Sequence, residues 1–482
     1  MAADPVNPAL NSAVNFADAS RAALRDPQLR ANFRRAMDGL VTKRATQFAD
    51  AREWNAVRAL AASVRMRALA QLPELLERLE ANCTRNGMRV HWASTTDEAN
   101  AIVLDIMRGA GATLAVKGKS MVSEEMHLNA FLEGHGIEIL ESDLGEYIVQ
   151  LDEGTPSHII MPAIHKNTKQ IAHLFREKIK GAAYTEDVAE LTDLARRVLR
   201  RKFAAAGVGI SGVNAAVAET GTLCLIENEG NGRMCTTVPP VHIALMGIEK
   251  VVERLEDVAP ILSLLPRSAT AQPITTYVNM ISSPRREGEK DGPREIHLVI
   301  LDNGRSGIYA DEELRDTLRC IRCGACMNHC PVYTQVGGHA YQAPYPGPIG
   351  KILVPQIEGL DRRGEMPHAC TMCNACVEVC PVKIPIVEIM GRLRSEAVHK
   401  GGNVKDAGAQ ANAKETLAWK GWAAMNASPT AYRMATTLMA KLGNAAPTSM
   451  PLLKEWTSAR VKPRFAARTL HELARKKGIP DA

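Results

Sequence analysis

Aromatic side chains are scarce: the 482 residues include 5 Trp, 8 Tyr and 7 Phe. The core must therefore be built largely from Ala, Val, Leu, Ile and Met. No run approaches the ~20 apolar residues that a membrane-spanning helix needs. The N-terminal stretch MAADPVNPALNSAVNF has neither the basic nor the apolar segment of a secretory leader. An excess of one charge sign is also missing. Lys and Arg number 59 against 53 Asp and Glu, a formal net charge of +6, too mild to argue for nucleic acid. The expectation is a cytoplasmic protein with no transmembrane segment and no nucleic-acid partner. With 46% hydrophobic and 23% charged residues the chain is ordinary for a globular protein, and its length suggests about three domains.

What the chain does have is cysteine, and it is concentrated. Eight of the 11 cysteines fall in two copies of C-x2-C-x2-C-x3-C-P. The first is Cys320, Cys323, Cys326, Cys330, then Pro331; the second is Cys370, Cys373, Cys376, Cys380, then Pro381. Three thiolates two residues apart on a tight turn can cap three corners of one iron–sulfur cubane. The fourth points away and reaches the neighbouring cluster. The spacing predicts one 4Fe–4S cluster on Cys320, Cys323, Cys326 and Cys380, and a second on Cys370, Cys373, Cys376 and Cys330. The proline lacks an N–H and turns the chain out of the site. Structural zinc prefers paired C-x2-C knuckles with a longer spacer, which these runs do not show. Thiolates that bind iron must stay reduced, which also points to a reducing compartment. With both clusters the formal charge falls to roughly +2.

Residues 1–82 read as a helical segment, with helices over Arg21–Leu40 and Arg52–Leu79 whose many arginines suit a solvated face. From 83 to 302 short strands alternate with helices, the pattern of an α/β domain with a largely parallel sheet. Strands are expected at Arg89–Trp92, Leu114–Val116, Ile137–Leu140, Tyr147–Gln150, His158–Met161, Leu223–Glu227, His242–Leu245, Thr275–Ile281 and His297–Leu301. Helices are expected at Thr96–Gly109, Ser123–Gly134, Thr168–Lys180, Thr185–Ala206 and Gly247–Leu264. Residues 303–400 hold the cysteine runs among helices at Ala310–Leu318, Gly350–Glu358 and Ile386–His399, an α-helical ferredoxin type of domain. Residues 401–482 form a helical extension with helices at Lys414–Met425 and Thr430–Lys441. It ends in a basic stretch, Arg460–Lys477, whose charges suit solvation or an acidic partner surface.

Two nucleotide-like motifs fail on context. Gly207 to Gly212 matches G-x-G-x-x-G but follows a helix rather than a strand, so the glycines suit a strand entrance or turn. Gly118-Lys119-Ser120 ends like a phosphate-binding loop, yet the required first glycine is Thr113. The polar loop Glu227 to Arg233 leaves the end of an apolar strand. In an open α/β sheet ligands sit beyond the carboxyl ends of strands. On that ground Lys119, Glu219, Thr220, Asn228, Glu229 and Arg233 are the candidate substrate-binding residues. Lys119 or Arg233 would hold a carboxylate, and Glu219 or Glu229 would act as base; no catalytic residue is assigned. The competing reading is that these groups only brace loops.

Val116 to Met121, Ser123-Glu124-Glu125, Glu219-Thr220-Gly221-Thr222, Asn228-Glu229-Gly230-Asn231, Pro239-Pro240-Val241-His242 and the cysteine runs occur in combination. By that combination the chain resembles the lactate-utilization protein B family over nearly its full length. The resemblance implies a LUD α/β domain similar to the NagB/RpiA/CoA-transferase-like fold, a two-cluster 4Fe–4S module and helical terminal extensions. It also implies an electron-transfer subunit of a cytoplasmic complex oxidising L-lactate to pyruvate. The partners it implies are a cysteine-rich subunit related to heterodisulfide reductase and a smaller LUD protein. Two other functions fit the same residues. One is a ligand-binding or transferase-like enzyme with structural clusters; the other is a scaffold for the complex.

Overall fold

The computed structural model describes residues 15–450, 453–454, 457 and 461–479. They divide into two compact units, one ending at Ala409 and the other starting at Gln410.

The first unit opens with four helices: α1 (Phe16–Arg25), α2 (Pro27–Gln47), α3 (Ala51–Ala70) and α4 (Leu72–Arg85). Asp26 and Asp50 cap α2 and α3 by accepting backbone N–H groups at their first turns. Two sheets follow. The larger has the order β1 (Arg89–Ala93), β10 (Glu295–Leu301), β7 (Val241–Gly247), β4 (Val208–Gly212), β2 (Leu114–Lys117), β3 (Glu138–Glu141), and all its pairings are parallel. Every residue of β7 is buried, as expected for a central strand covered on both faces. The smaller sheet runs β8 (Val251–Val252), β5 (Ala215–Val217), β6 (Thr222–Glu227), β9 (Tyr277–Ile281) and lies mostly antiparallel.

Seven expected elements differ. Arg21–Leu40 spans α1 and α2, broken at Asp26, and Arg52–Leu79 spans α3 and α4, broken at Gln71. Tyr147–Gln150 belongs to a helix, Leu144–Leu151, started by Asp143, which accepts the N–H of Glu146; its apolar residues recur at helical rather than alternating spacing. His158–Met161 is not a strand. The His158 ring Nδ1 accepts the N–H groups of Ile160 and Met161 at 3.0 and 3.1 Å, which takes those donors from any ladder. The helix expected over Ser123–Gly134 breaks at His127, a left-handed residue (φ 49°) between Met121–Glu125 and Leu128–Gly134. The helix expected at Gly247–Leu264 begins only at Val258, because Val251–Val252 pairs with Ala216–Val217. The stretch Ala310–Leu318 is split between a helix, Arg305–Ala310, and a 3₁₀ segment, Leu314–Arg319.

Gly207 stands at a strand entrance, as expected, and Val208–Gly212 forms β4. Gly209 is needed there: a Cβ would fall 1.8 Å from the Cys235 carbonyl oxygen, so only glycine lets the short helix Asn231–Cys235 lie against the strand.

In the second unit the helices Ala413–Ala427 and Pro429–Leu442 pack on each other, capped by Asn412 and Ser428. The basic end carries a helix at Leu470–Lys476 with a Thr469/Glu472 capping box; Arg460 lies outside the described residues.

Candidate iron–sulfur centre and adjoining cavity

The two cysteine runs repeat one backbone shape. Arg322 (φ 60°) and Met372 (φ 57°) are left-handed, as are Gly324 (φ 73°) and Asn374 (φ 68°). One helical turn follows in each, Ala325–Asn328 and Ala375–Glu378. The bends point N–H groups at sulfur. Arg322 donates to Cys320 Sγ at 3.4 Å and Met372 to Cys370 Sγ at 3.3 Å. Tyr333 and Ile384 donate to Cys330 and Cys380 Sγ, both at 3.4 Å. Such bonds favour the charged thiolate.

Cys320, Cys323, Cys326 and Cys380 line one small cavity, closed by Ile349, Val382 and Ile384. The electrostatic neighbours of the Cys376 thiol are Cys330, Cys370 and Cys373. Burial pushes the Cys323 and Cys376 thiols up to about 12. Thiols in such surroundings need a strong electrophile to ionise, and iron supplies one.

The first set sits inside a collar of cations. Arg44 lies within electrostatic reach of Cys323 and Cys380, Arg58 and Arg319 of Cys380, and Arg65, Lys250 and Arg322 of Cys320. Arg44 Nε, Arg319 Nε and Arg322 Nη1 are buried with no hydrogen-bond partner. Unmatched buried donors beside four thiols fit an anionic group, and an all-thiolate 4Fe–4S cluster is one. The N-terminal arginines are thus not simply a solvated face. Arg65 is 3% exposed. It donates to the backbone carbonyls of Val251 at 2.9 Å and Leu318 at 3.1 Å, and also to that of Glu249. It therefore ties α3 to the small sheet and to the entrance of the first run. Arg394 donates to the Cys370 carbonyl at 2.6 Å, whereas Arg392 is taken up by Asp311, Glu313 and Glu396.

A second cavity, of about 390 Å³, opens beyond the carboxyl ends of β2, β4 and β6, where an open α/β sheet is expected to bind. Lys119, Asn228 and Glu229 line it; Glu219, Thr220 and Arg233 do not. Glu219 accepts the N–H of Leu255 at 3.0 Å. The Thr220 carbonyl accepts from Asn86, the residue that ends α4, at 2.8 Å. Arg233 stacks its guanidinium 5.6 Å from the Tyr277 ring. The hairpin from β5 to β6 turns Glu219 and Thr220 toward α4, away from the cavity.

Lys119 is already paired, with Asp143 at 2.9 Å and with the Ile160 carbonyl at 3.0 Å. The cavity's other cations are Lys250 and Arg322, which no sequence spacing marks. Burial, reinforced by Arg322, pulls Lys250 down to about 8. Burial would raise Glu249, but Arg305, Lys250 and Arg322 outweigh it and hold the carboxyl at about 2. Arg322 Nη2 lies 3.2 Å from Glu249 Oε1, and its guanidinium sits 4.5 Å from the Tyr345 ring. Arg322 therefore belongs to the cavity wall and to the first cysteine run at once.

An α/β domain with a cysteine-ligated module on its cavity defines an iron–sulfur protein, and comparison with known proteins gives the parts their families. Residues 76–301 match the LUD domain, residues 316–384 the 4Fe-4S dicluster domain, and residues 392–479 the lactate utilisation protein B C-terminal family. Lactate utilization protein B of Shouchella clausii is 41% identical, covering 91% of this chain and 92% of its own. Its namesake in Bacillus licheniformis is 44% identical over 79% of this chain and 78% of its own. An uncharacterized electron transport protein of Escherichia coli, YkgF, is 39% identical over 94% of each. The chain belongs to the lactate utilization protein B family. Among solved structures, a DUF162 family protein from Deinococcus radiodurans covers 48% of this chain and 98% of its own at 14% identity, but its TM-score of 0.28 is too low to inform the fold. No helix among the described residues is long and apolar enough to cross a membrane.

Proposed function

We propose that this chain is the electron-transfer subunit of a cytoplasmic complex that oxidises L-lactate to pyruvate. Its partners would be a cysteine-rich subunit related to heterodisulfide reductase and a smaller LUD protein. The observation that carries the reading is the meeting of Cys380, from the second run, with Cys320, Cys323 and Cys326 around one cavity. That is the crossed arrangement of a two-cluster relay. Two clusters would then be held, one by these four residues and one by Cys370, Cys373, Cys376 and Cys330.

Oxidising a hydroxy acid to a keto acid releases two electrons and two protons. Each bound 4Fe–4S cluster supplies one-electron redox chemistry, so a pair can take both electrons. The chain's own residues would bind and orient. Lys250 and Arg322 offer the cavity's positive charge to a carboxylate, the role first expected of Lys119 or Arg233. Asn228 and Ser211 line the cavity with side chains already bonded, Asn228 to Gln272 and Thr276 and Ser211 to His242. Glu229 is pushed up by burial and by Asp143 and is the cavity carboxyl suited to accept a hydroxyl proton.

Anaerobic co-purification of the complex, with metal analysis and spectroscopy before and after adding L-lactate, tests the reading. Lactate-dependent bleaching of the cluster absorption only when partners are present is the expected result. Turnover of a thioester or sugar phosphate by this chain alone would instead establish the LUD domain as a separate enzyme.

A further inference from the structure

The two cysteine runs share spacing and backbone shape, and their surroundings differ sharply. The stretch Cys323–Asn328 is buried throughout, whereas Thr371, Met372, Cys373 and Asn374 are all exposed. A Cβ on Gly324 would come within 3.2 Å of Ile160 and 3.3 Å of His158, so the loop through His158–Ile160 roofs the first run. Nothing described covers the equivalent Asn374.

The charges differ as well. Arg44, Arg58, Arg65, Arg319, Arg322 and Lys250 reach the first set, whereas the cations beside the second set are Lys351, 3.6 Å from Cys330 Sγ, and Arg394, which donates to the Cys370 carbonyl. The contrast is sharpest at one equivalent position. Met372 adopts the same left-handed shape as Arg322 and makes the same N–H bond to sulfur. The loop therefore does not require an arginine, and the charge at 322 is an addition to it.

Resting on the two-cluster reading above, we propose that this collar makes the two centres unequal. The first is an inner, higher-potential centre whose potential is set by Arg322. The second is an outer, lower-potential centre that meets solvent at Thr371–Asn374 and exchanges electrons there. Reduction by one electron takes a 2+ core to 1+ and adds one negative charge to a cluster that is already anionic. Buried cations lower the cost of that charge, and water does not screen them there. Burial alone raises the cost. Six cations against Glu249, Asp316 and Glu378 leave a larger positive excess at the buried first site than Lys351 and Arg394 leave at the second, where the exposed Thr371–Asn374 stretch also admits water.

The test is a redox titration of the anaerobic holoprotein, reduced with dithionite and followed by electron paramagnetic resonance, with and without a dysprosium chelate. Two signals of different midpoint are expected, and only the lower-potential one should relax faster with the chelate. Arg322→Met should lower the higher midpoint alone, while Arg322→Lys, which keeps the charge, should largely retain it. Met372→Lys, on the exposed loop, should raise the lower midpoint alone at unchanged iron content, and it decides the matter if Arg322→Met loses iron. Equal midpoints, relaxation of the higher-potential signal, or a Met372→Lys effect on that signal would overturn the proposal. Four irons per chain instead of about eight would overturn the two-cluster reading and this proposal with it.

Discussion

Arg58 on α3 donates through Nε to the carbonyl oxygen of Cys380 at 2.6 Å, and through Nη2 to that of Val377 at 2.5 Å. An N-terminal helix thus grips the backbone of the cysteine that closes the first set. Charged donors to buried carbonyls contribute roughly 1.5–3 kcal/mol each, and a carbonyl left unpaired costs on a similar scale. Arg58→Ala should lower the thermal midpoint of the holoprotein and speed iron release to a chelator several-fold. Arg52→Ala, on an exposed position of the same helix, should change neither. Iron release from Arg58→Ala at the wild-type rate would show that the grip does not hold Cys380.

Crossed ligation makes a specific demand on single cysteine variants. Cys380→Ser should perturb the centre of Cys320, Cys323 and Cys326, and Cys330→Ser that of Cys370, Cys373 and Cys376, each leaving about four irons per chain undisturbed. Resonance spectra assign which centre is hit. If Cys330→Ser alters the same signal as Cys323→Ser, each run ligates its own cluster and the assignment is wrong.

The cysteine runs were legible because their chemistry is local: spacing alone sets which thiols can share a cluster. The parallel strands at Leu114, Ile139 and His297 were legible for a similar reason, since apolar runs broken by glycine and polar turns mark them. What surrounds the clusters was not legible. Arg44, Arg65 and Lys250 reach the first run from far away in sequence, and nothing in a helix's own periodicity says that its arginines will bind carbonyls across the molecule. The cavity was half legible. Lys119, Asn228 and Glu229 follow strands that end at it. Glu219 and Thr220 also sit at a strand turn, but that turn belongs to the small sheet and packs on α4 through Asn82 and Asn86.

That division fixes what two substitutions should do in the assembled complex. Arg233→Ala removes a cation that lies outside the cavity, so lactate-dependent cluster reduction at limiting lactate should stay near the wild-type rate. Lys250→Met removes one of the cavity's positive charges and should slow the same reaction by at least about tenfold, the scale of a charge-assisted contact. High lactate should partly rescue it, and iron content should be unchanged. A slow Arg233→Ala beside a normal Lys250→Met would return the carboxylate to the Glu227–Arg233 loop.

His242 gives a pH signature that belongs to the fold rather than to the clusters. Its Nε2 lies 2.8 Å from Ser211 Oγ, between β7 and β4, and its Nδ1 is buried with no hydrogen-bond partner. The ionisable neighbours of His242 include His297 and, beyond it, His91 at 3.0 Å and Glu295 at 3.5 Å from the His297 ring, with Arg89 paired to Glu295 at 2.8 Å. Burial, aided by His297, brings His242 from 6.5 down to about 3. In the unfolded chain the ring gains its proton near 6.5, whereas in the fold it stays neutral until about 3. The unfolded state therefore binds more protons in that window. The stabilisation is complete above 6.5 and is lost as pH falls, at up to about 1.4 kcal/mol per pH unit. Between about pH 7 and about pH 5.5 the holoprotein should lose on the order of 1 kcal/mol to this one group. His242→Gln keeps an amide within reach of Ser211 and cannot titrate. Anaerobic thermal unfolding of the two proteins across that range should give profiles that converge as pH falls. Parallel profiles would mean that His242 takes up its proton at the same pH in the fold as in the unfolded chain, and that the polar groups around it differ from those described.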